Sequence, residues 1–138
     1  EQLHFDNDYF DKVICMSVLM MTNPYNVLKE IKRVLKKGGL FTMHVSDIGY
    51  SLHSLRDGVY CKDPKRIKGA FKQLMARFRR SVLRQYNIGG VFTKKDLEKL
   101  SALTGFEIVQ NLNQGYYDWE PKFYWGFRTQ HLITLRKK

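Results

Sequence analysis

Apolar and polar positions follow two different rhythms along this chain. Lys12 to Val18 is an almost unbroken apolar run with branched residues, the pattern of a strand covered on both faces. Asn23-Pro24 follows. Asn caps free amides, and Pro is tolerated at the first helical position. Val27, Leu28, Ile31, Val34 and Leu35 then recur at helical spacing and predict one buried stripe. Lys36 and Lys37 suit the negative end of such a helix, and Gly38 supplies a left-handed stop. Leu40 to Val45 reads as the next strand. Strand, helix, Gly-Gly and strand make one right-handed βαβ unit of an open parallel sheet.

Between Asp47 and Gly90 the alternation breaks. A long connection carries its own helix, roughly Pro64 to Tyr86, with an apolar stripe of Ile67, Phe71, Leu74, Met75, Phe78 and Val82. Order returns after Gly89-Gly90. Thr93 and Asp96 stand at capping-box spacing, with Asp in place of the usual Glu. Leu97, Leu100 and Leu103 mark a short helix that stops at Gly105. Phe106 to Leu112 reads as a strand, and Phe123 to Lys137 as one long final strand. No internal repeat or low-complexity stretch is present.

Length and composition narrow the classes. A chain of 138 residues suits a single core. The apolar fraction of 43% argues against disorder, and no apolar run approaches the ~18–20 residues of a membrane span. Two cysteines, Cys15 and Cys61, and four scattered histidines give neither a disulfide framework nor zinc spacing. Free thiols in a reducing cytoplasm are the expectation, with no metal site.

Charge is concentrated. Lys62 to Arg84 holds nine Lys or Arg and one acid, a net +8 of the chain's +11. Such a stretch steers anionic partners: a phosphorylated or carboxylated small molecule, nucleic acid, or an acidic lipid surface. The plainest reading is a lid helix with a solvated polar face. Nucleic acid is the weaker alternative, because no RNA-binding motif accompanies the charge.

The order of the motifs adds a resemblance. Leu3-His4-Phe5-Asp6-Asn7-Asp8-Tyr9-Phe10-Asp11, then Val13-Ile14-Cys15-Met16-Ser17-Val18-Leu19, then Leu28-Lys29-Glu30-Ile31-Lys32-Arg33-Val34-Leu35-Lys36-Lys37-Gly38-Gly39 resembles the middle of the class I S-adenosylmethionine (SAM)-dependent methyltransferases. Phe92-Thr93-Lys94-Lys95-Asp96-Leu97, through Leu100 to Gly105-Phe106-Glu107-Ile108-Val109, is similar to a later motif of that family. The likeness covers about residues 1–46 and 90–138. It implies an α/β fold: the C-terminal half of a Rossmann-like methyltransferase sheet, mostly parallel with an antiparallel terminal hairpin. Residues 1–138 would form a partial domain, with a helical substrate or lid insertion at about 48–90.

The resemblance also implies methyl transfer from SAM to a small or medium-sized, possibly anionic, acceptor. In the family a Gly-rich loop that holds the cofactor lies upstream of the motifs matched here, and no E/D-x-G-x-G-x-G occurs in this sequence. The complete domain is therefore expected to bind SAM, and this chain alone is not. The apolar strand at 12–18 would offer an edge to a missing N-terminal half or to a second chain. A non-catalytic methyltransferase-like partner or regulatory subunit is the second reading. A nucleic-acid methyltransferase fragment is the third.

In open α/β sheets, ligands sit outside the carboxyl ends of the strands. That rule nominates Ser17 and Val18, Ser46 and Asp47, and residues 113–117. By resemblance, Ser17 and Val18 lie beside the methionyl part of SAM, and Gln2 and Leu3 beside the adenine. Ser17 also reads simply as a strand end, and Leu3 as core. Met20 and Met21 occupy positions where the family often has histidines, which removes the obvious general base. Tyr50, His53, Tyr60 and Tyr116 are the candidates on the acceptor side. His53, in a polar loop, is the one candidate base, although a lone loop histidine is more commonly solvated. His44 and His131 sit within strands and read as packed residues. No catalytic residue is assigned.

Overall fold

The computed structural model describes residues 2–82, 90–112 and 122–138, with residues 80–82 as backbone only. The opening βαβ unit is present. Strand β1 (Phe10–Met16) pairs in parallel with β2 (Leu35–Ser46), and α1 (Pro24–Val34) joins them. The Asn26 N–H donates to Asn23 Oδ1 at 3.2 Å, so the expected cap forms. β1 runs slightly earlier than the expected Lys12 to Val18, since Ser17 leaves the strand and Val18 caps a short 3-10 turn over Leu19–Met21.

Gly38 does not stop the helix. Leu35 is already extended and fully buried, so the strand begins there, and Lys36 and Lys37 belong to β2. Lys32 and Arg33 occupy the last helical turn instead. Gly38, at φ 76°, lies where the β1–β2 register shifts from Phe10↔Leu35 to Lys12↔Leu40. The glycine serves an irregularity in the strand pair.

Two helices fill the insertion. α2 (Ile48–Tyr60) and α3 (Pro64–Val82) pack together. The polar loop expected before Pro64 is thus mostly helix. Asp47 caps it, accepting from the Ile48 N–H at 2.6 Å, and Ile48, Leu52, Leu55 and Val59 recur at helical spacing. α4 (Lys94–Thr104) begins at the expected capping box: Thr93 Oγ1 and its N–H both donate to Asp96 Oδ2, and the Asp96 N–H returns to Thr93 Oγ1. Gly105, at φ 72°, ends it. β3 (Phe106–Leu112) follows as expected.

The final strand is broken. β4 (Phe123–Tyr124) and β5 (Phe127–Arg128) form a separate hairpin. Its turn residues Trp125 and Gly126 both have positive φ, 50° and 75°, as a tight two-residue hairpin loop requires. Only β6 (Gln130–Lys137) enters the main sheet.

That sheet has the order β1-β2-β6-β3. β1, β2 and β3 run one way. β6 is wedged between β2 and β3 and antiparallel to both. On one face, Cys15, Phe41, Met43, Val45, Ile133 and Leu135 pack with Leu28 and Ile31 of α1 and Leu97 and Leu100 of α4. The other face is open along β1, where Ile14 is 72% exposed and Met16 43%. Thr42 and Thr134 share a 3.1 Å hydroxyl hydrogen bond there. The outer edge of β1 is unpaired among the described residues.

Candidate functional site

The carboxyl ends of β1 and β2 lie side by side. Ser17 takes a left-handed backbone, φ 59°, which non-glycine residues adopt at a cost and which clusters at functional sites. Its N–H donates to His44 O at 3.1 Å. Its Oγ lies 3.0 Å from His44 Nδ1, and His44 Nε2 lies 2.8 Å from Gln130 Oε1. A proton on Nε2 satisfies the Gln130 oxygen and leaves Nδ1 to accept the Ser17 hydroxyl.

A second buried histidine ties the same end of the sheet. His131 is fully buried. Its Nε2 lies 2.8 Å from Asp47 Oδ2, and its Nδ1 3.0 Å from Asn111 Oδ1. An ionised carboxylate only accepts, so Nε2 carries a proton. Both histidines are packed, as expected, but their partners make them tethers across β1, β2, β6 and β3. Periodicity assigns them to opposite sheet faces without revealing those partners.

Two clefts flank these tethers. Along the outer edge of β1 a cleft of about 370 Å³ is lined by Gln2, Leu3, Ile14, Met16, Val18 and Thr22, among others. The structure thus brings three of the four cofactor candidates, Gln2, Leu3 and Val18, to one cleft. Ser17 stands apart from that lining and faces His44. Leu3 is 39% exposed, so the core reading does not apply to it.

Arg33 holds this leading segment in place. Its guanidinium donates to Leu3 O, Phe5 O and Asn7 Oδ1 at 2.8–3.1 Å and to both oxygens of Glu30. Glu30 also accepts from the Leu3 N–H at 2.9 Å. These hydrogen bonds, that from Arg33 first, lower the Glu30 pKa to about 2.

The second cleft, about 490 Å³, lies between the 3-10 turn and α3. Met20, Met21, Gly69, Lys72, Gln73 and Gly90 line it. Gly90 N–H donates to Met20 O at 2.8 Å, and Ser46 N–H to Met20 Sδ at 3.3 Å. Ser51 donates to Gln73 at 2.8 Å. Lys72 has no hydrogen bond or ion pair among the described residues. Its ammonium is the cation this cleft offers an incoming anion. Sequence reasoning counted Lys72 within the basic helix and missed its place at the cleft. The contacts joining α3 to the 3-10 turn have no local signal.

The acceptor candidates do not converge on that cleft. Tyr50 and His53 are half-buried on α2. His53 belongs to a helix, not to a loop, because α2 occupies the expected loop. Its Nδ1 lies 3.5 Å from Asp57 Oδ2, and its ring meets Tyr124 edge-on at 5.3 Å. The Arg56 hydrogen bond holds the Asp57 carboxyl below its ordinary range. Tyr60 is 88% exposed and lines a different, apolar recess with Leu55, Val59 and Trp125. Tyr116, with the rest of 113–117, lies outside the described residues. Among the described residues, no three His, Cys, Asp or Glu side chains are grouped for a metal. None of the helices there is long and apolar enough to cross a membrane.

The family described as "Methyltransferase domain" matches residues 1–43. A solved SAM-dependent methyltransferase of Thermotoga maritima superposes on 99% of this chain and 60% of its own, with TM-score 0.56 and 20% identity. A SAM-dependent methyltransferase of Methanosarcina mazei covers 99% of this chain and 63% of its own, with TM-score 0.58 and 18% identity. The fold is that of the SAM-dependent methyltransferases. This methyltransferase fold is not confined to one reaction: the [4+2]-cyclase SpnF covers 99% of the chain and 52% of its own, with TM-score 0.54 and 15% identity. The resemblance carried by the opening motifs is borne out in the family match and in the architecture. The chain spans about 60% of the length of the two methyltransferases. No curated protein matches the sequence.

Proposed function

We propose that residues 1–138 form the carboxyl-terminal part of a cytoplasmic SAM-dependent methyltransferase acting on a small or medium-sized anionic acceptor. The observation that carries this reading is the cleft between the 3-10 turn and α3. It lies beyond the carboxyl ends of β1 and β2, where an open α/β sheet places its ligands. Two methionines supply an adaptable apolar wall, and Lys72 supplies one unpaired positive charge.

The cofactor candidates fit in part. Leu3, Val18 and Ile14 along the β1 cleft suit a flat apolar ring, with Gln2 beside it. Ser17 and Val18, at the strand end, would lie near the methionyl part. No Gly-rich motif occurs in this sequence, and the one acid lining the β1 cleft among the described residues, Glu30, is held by Arg33 and the Leu3 N–H. The cradle and the ribose partner would therefore come from another segment that pairs with the β1 edge. SAM supplies a sulfonium methyl, an electrophile needing an in-line nucleophile. This chain would position the acceptor and exclude water, which can provide much of the rate. α2 and α3 form the acceptor-side insertion in this reading.

The test uses the chain together with the polypeptide that supplies the cofactor loop, and follows S-adenosylhomocysteine release with carboxylated and phosphorylated acceptors. Lys72→Ala should raise the acceptor KM roughly tenfold or more, the scale of one hydrogen bond to a charged group, and leave the SAM Kd unchanged. A variant that weakens SAM and acceptor equally would place Lys72 elsewhere in the mechanism. The second reading is a methyltransferase-like partner subunit, favoured by a cleft lining that holds no His, Asp or Glu among the described residues and only the Lys72 ammonium as a titratable group. Turnover that never exceeds background with any acceptor would select it.

A further inference from the structure

Helix α3 presents two unlike surfaces side by side. Phe71 is 62% exposed, Met75 39% and Phe78 53%, so part of the apolar stripe expected on this helix faces outward. At about 100° per residue these three fall within roughly 60° of arc. Lys65, Lys68, Lys72 and Arg79 occupy the adjoining arc of similar width. Ala70, on the opposite side, is 2% exposed and turned towards the protein. The sole acid of the stretch, Asp63, is occupied in capping the helix, accepting from the Lys65 and Arg66 N–H groups at 3.0 and 3.2 Å. The basic arc therefore has no countercharge on its own helix.

We propose that α3 is an interfacial helix that seats the domain on an anionic lipid surface through Phe71, Met75 and Phe78, with Lys65, Lys68 and Arg79 on the headgroups. An amphipathic helix lying in the bilayer plane buries its apolar face about 5–10 Å deep, while adjoining cations meet acidic headgroups. The apolar arc runs about 10 Å along the axis, so both arcs can engage one layered surface together. Charge complementarity selects an anionic surface over a neutral one. This inference is independent of the methyl-transfer reading.

The experiment is vesicle co-sedimentation of the 138-residue chain at ~0.15 M salt, with phosphatidylcholine alone and with phosphatidylserine added. Binding is expected to the anionic vesicles only. K65Q/K68Q/R79Q should lower the partition constant roughly 100-fold, from about a fivefold loss per cation. F71S/M75S/F78S should lower it at least roughly tenfold, with the parent's circular dichroism retained. Should a triple variant misfold, Phe71→Trp gives the readout alone. Bromine-labelled lipid should quench it beyond the parent's own tryptophans. Equal binding to both vesicle types, no binding to either, unaltered binding by the apolar variant, or an unquenched Phe71→Trp overturns the proposal. So does a parent that binds single-stranded RNA and ignores the vesicles, which would make nucleic acid the occupant.

Discussion

Arg33 donates five hydrogen bonds, three of them to residues 3–7. Its partner Glu30 has a folded pKa near 2 against an ordinary 4.5. A depressed carboxyl pKa contributes stability above the unfolded pKa, and that contribution is lost as pH falls through the folded one. The clamp should thus be intact above about pH 4.5 and released progressively towards pH 2. Nitrogen-15 relaxation should report residues 2–7 loosening over that range. Arg33→Ala should loosen them at neutral pH, with α1 still helical, and a segment equally rigid in the variant would show that Arg33 is not the clamp. The Glu30/Arg33 spacing is visible in the sequence as an i,i+3 pair. The carbonyls it serves are not, because folding alone brings Leu3 and Phe5 to α1. The same holds for His131. Replacing it by Leu strands the buried Asp47 carboxylate with little beyond the Ile48 N–H. Loss of a buried partner costs about 3–5 kcal/mol, so a urea midpoint within experimental error of the parent's would contradict the tether.

Among the elements, α2 is the instructive case. Its small residues, Gly49, Ser51, Ser54 and Gly58, look like loop composition in the sequence. In the structure, the two glycines and Ser51 are buried at packing contacts. A Cβ on Gly49 would stand 2.5 Å from Arg128 O and 2.6 Å from Phe127 O, and one on Gly58 2.9 Å from Ile67 Cγ1. The close approach of α2 to the β4–β5 hairpin depends on Gly49, and backbone atoms cannot yield as a side-chain tip can. Gly49→Ala should therefore destabilise by about 1–3 kcal/mol despite its better helix propensity. Thermal melting would show this, and a melting temperature raised by the substitution would mean that the hairpin is not seated there. The α4 capping box was legible because its partners are three residues apart. The hairpin was not, since the β-forming residues around Trp125-Gly126 hide a turn that requires positive φ. Local signals survive reading from sequence; contacts between elements do not.

At the scale of the molecule, the sheet is covered on one face along β1, and its two edge strands, β1 and β3, each have one strand partner among the described residues. α1 and α4 cover the inner face, whereas Ile14 and Met16 remain exposed and the outer side of β1 has no strand partner among the described residues. The sequence pointed to that edge in advance, through the apolar run at 12–18 and the absence of a Gly-rich loop. It could not show that Gln2, Leu3 and Val18 would share a cleft along it. If this cleft is half of the proposed cofactor site, a definite expectation follows. The β1 cleft can cover an apolar ring, yet no glycine lines it as a backbone cradle, and its one acid among the described residues, Glu30, is already held by Arg33 and the Leu3 N–H. Calorimetric titration of the 138-residue chain with SAM should therefore show no specific heat. An open parallel edge is also a template for pairing, so light scattering should report a species larger than the monomer at high concentration. Co-expression with a polypeptide carrying a Gly-rich strand–loop–helix should convert that species to a one-to-one complex that does bind SAM. Micromolar one-to-one SAM binding by the chain alone would overturn this account, because the described side chains would then suffice for the whole cofactor.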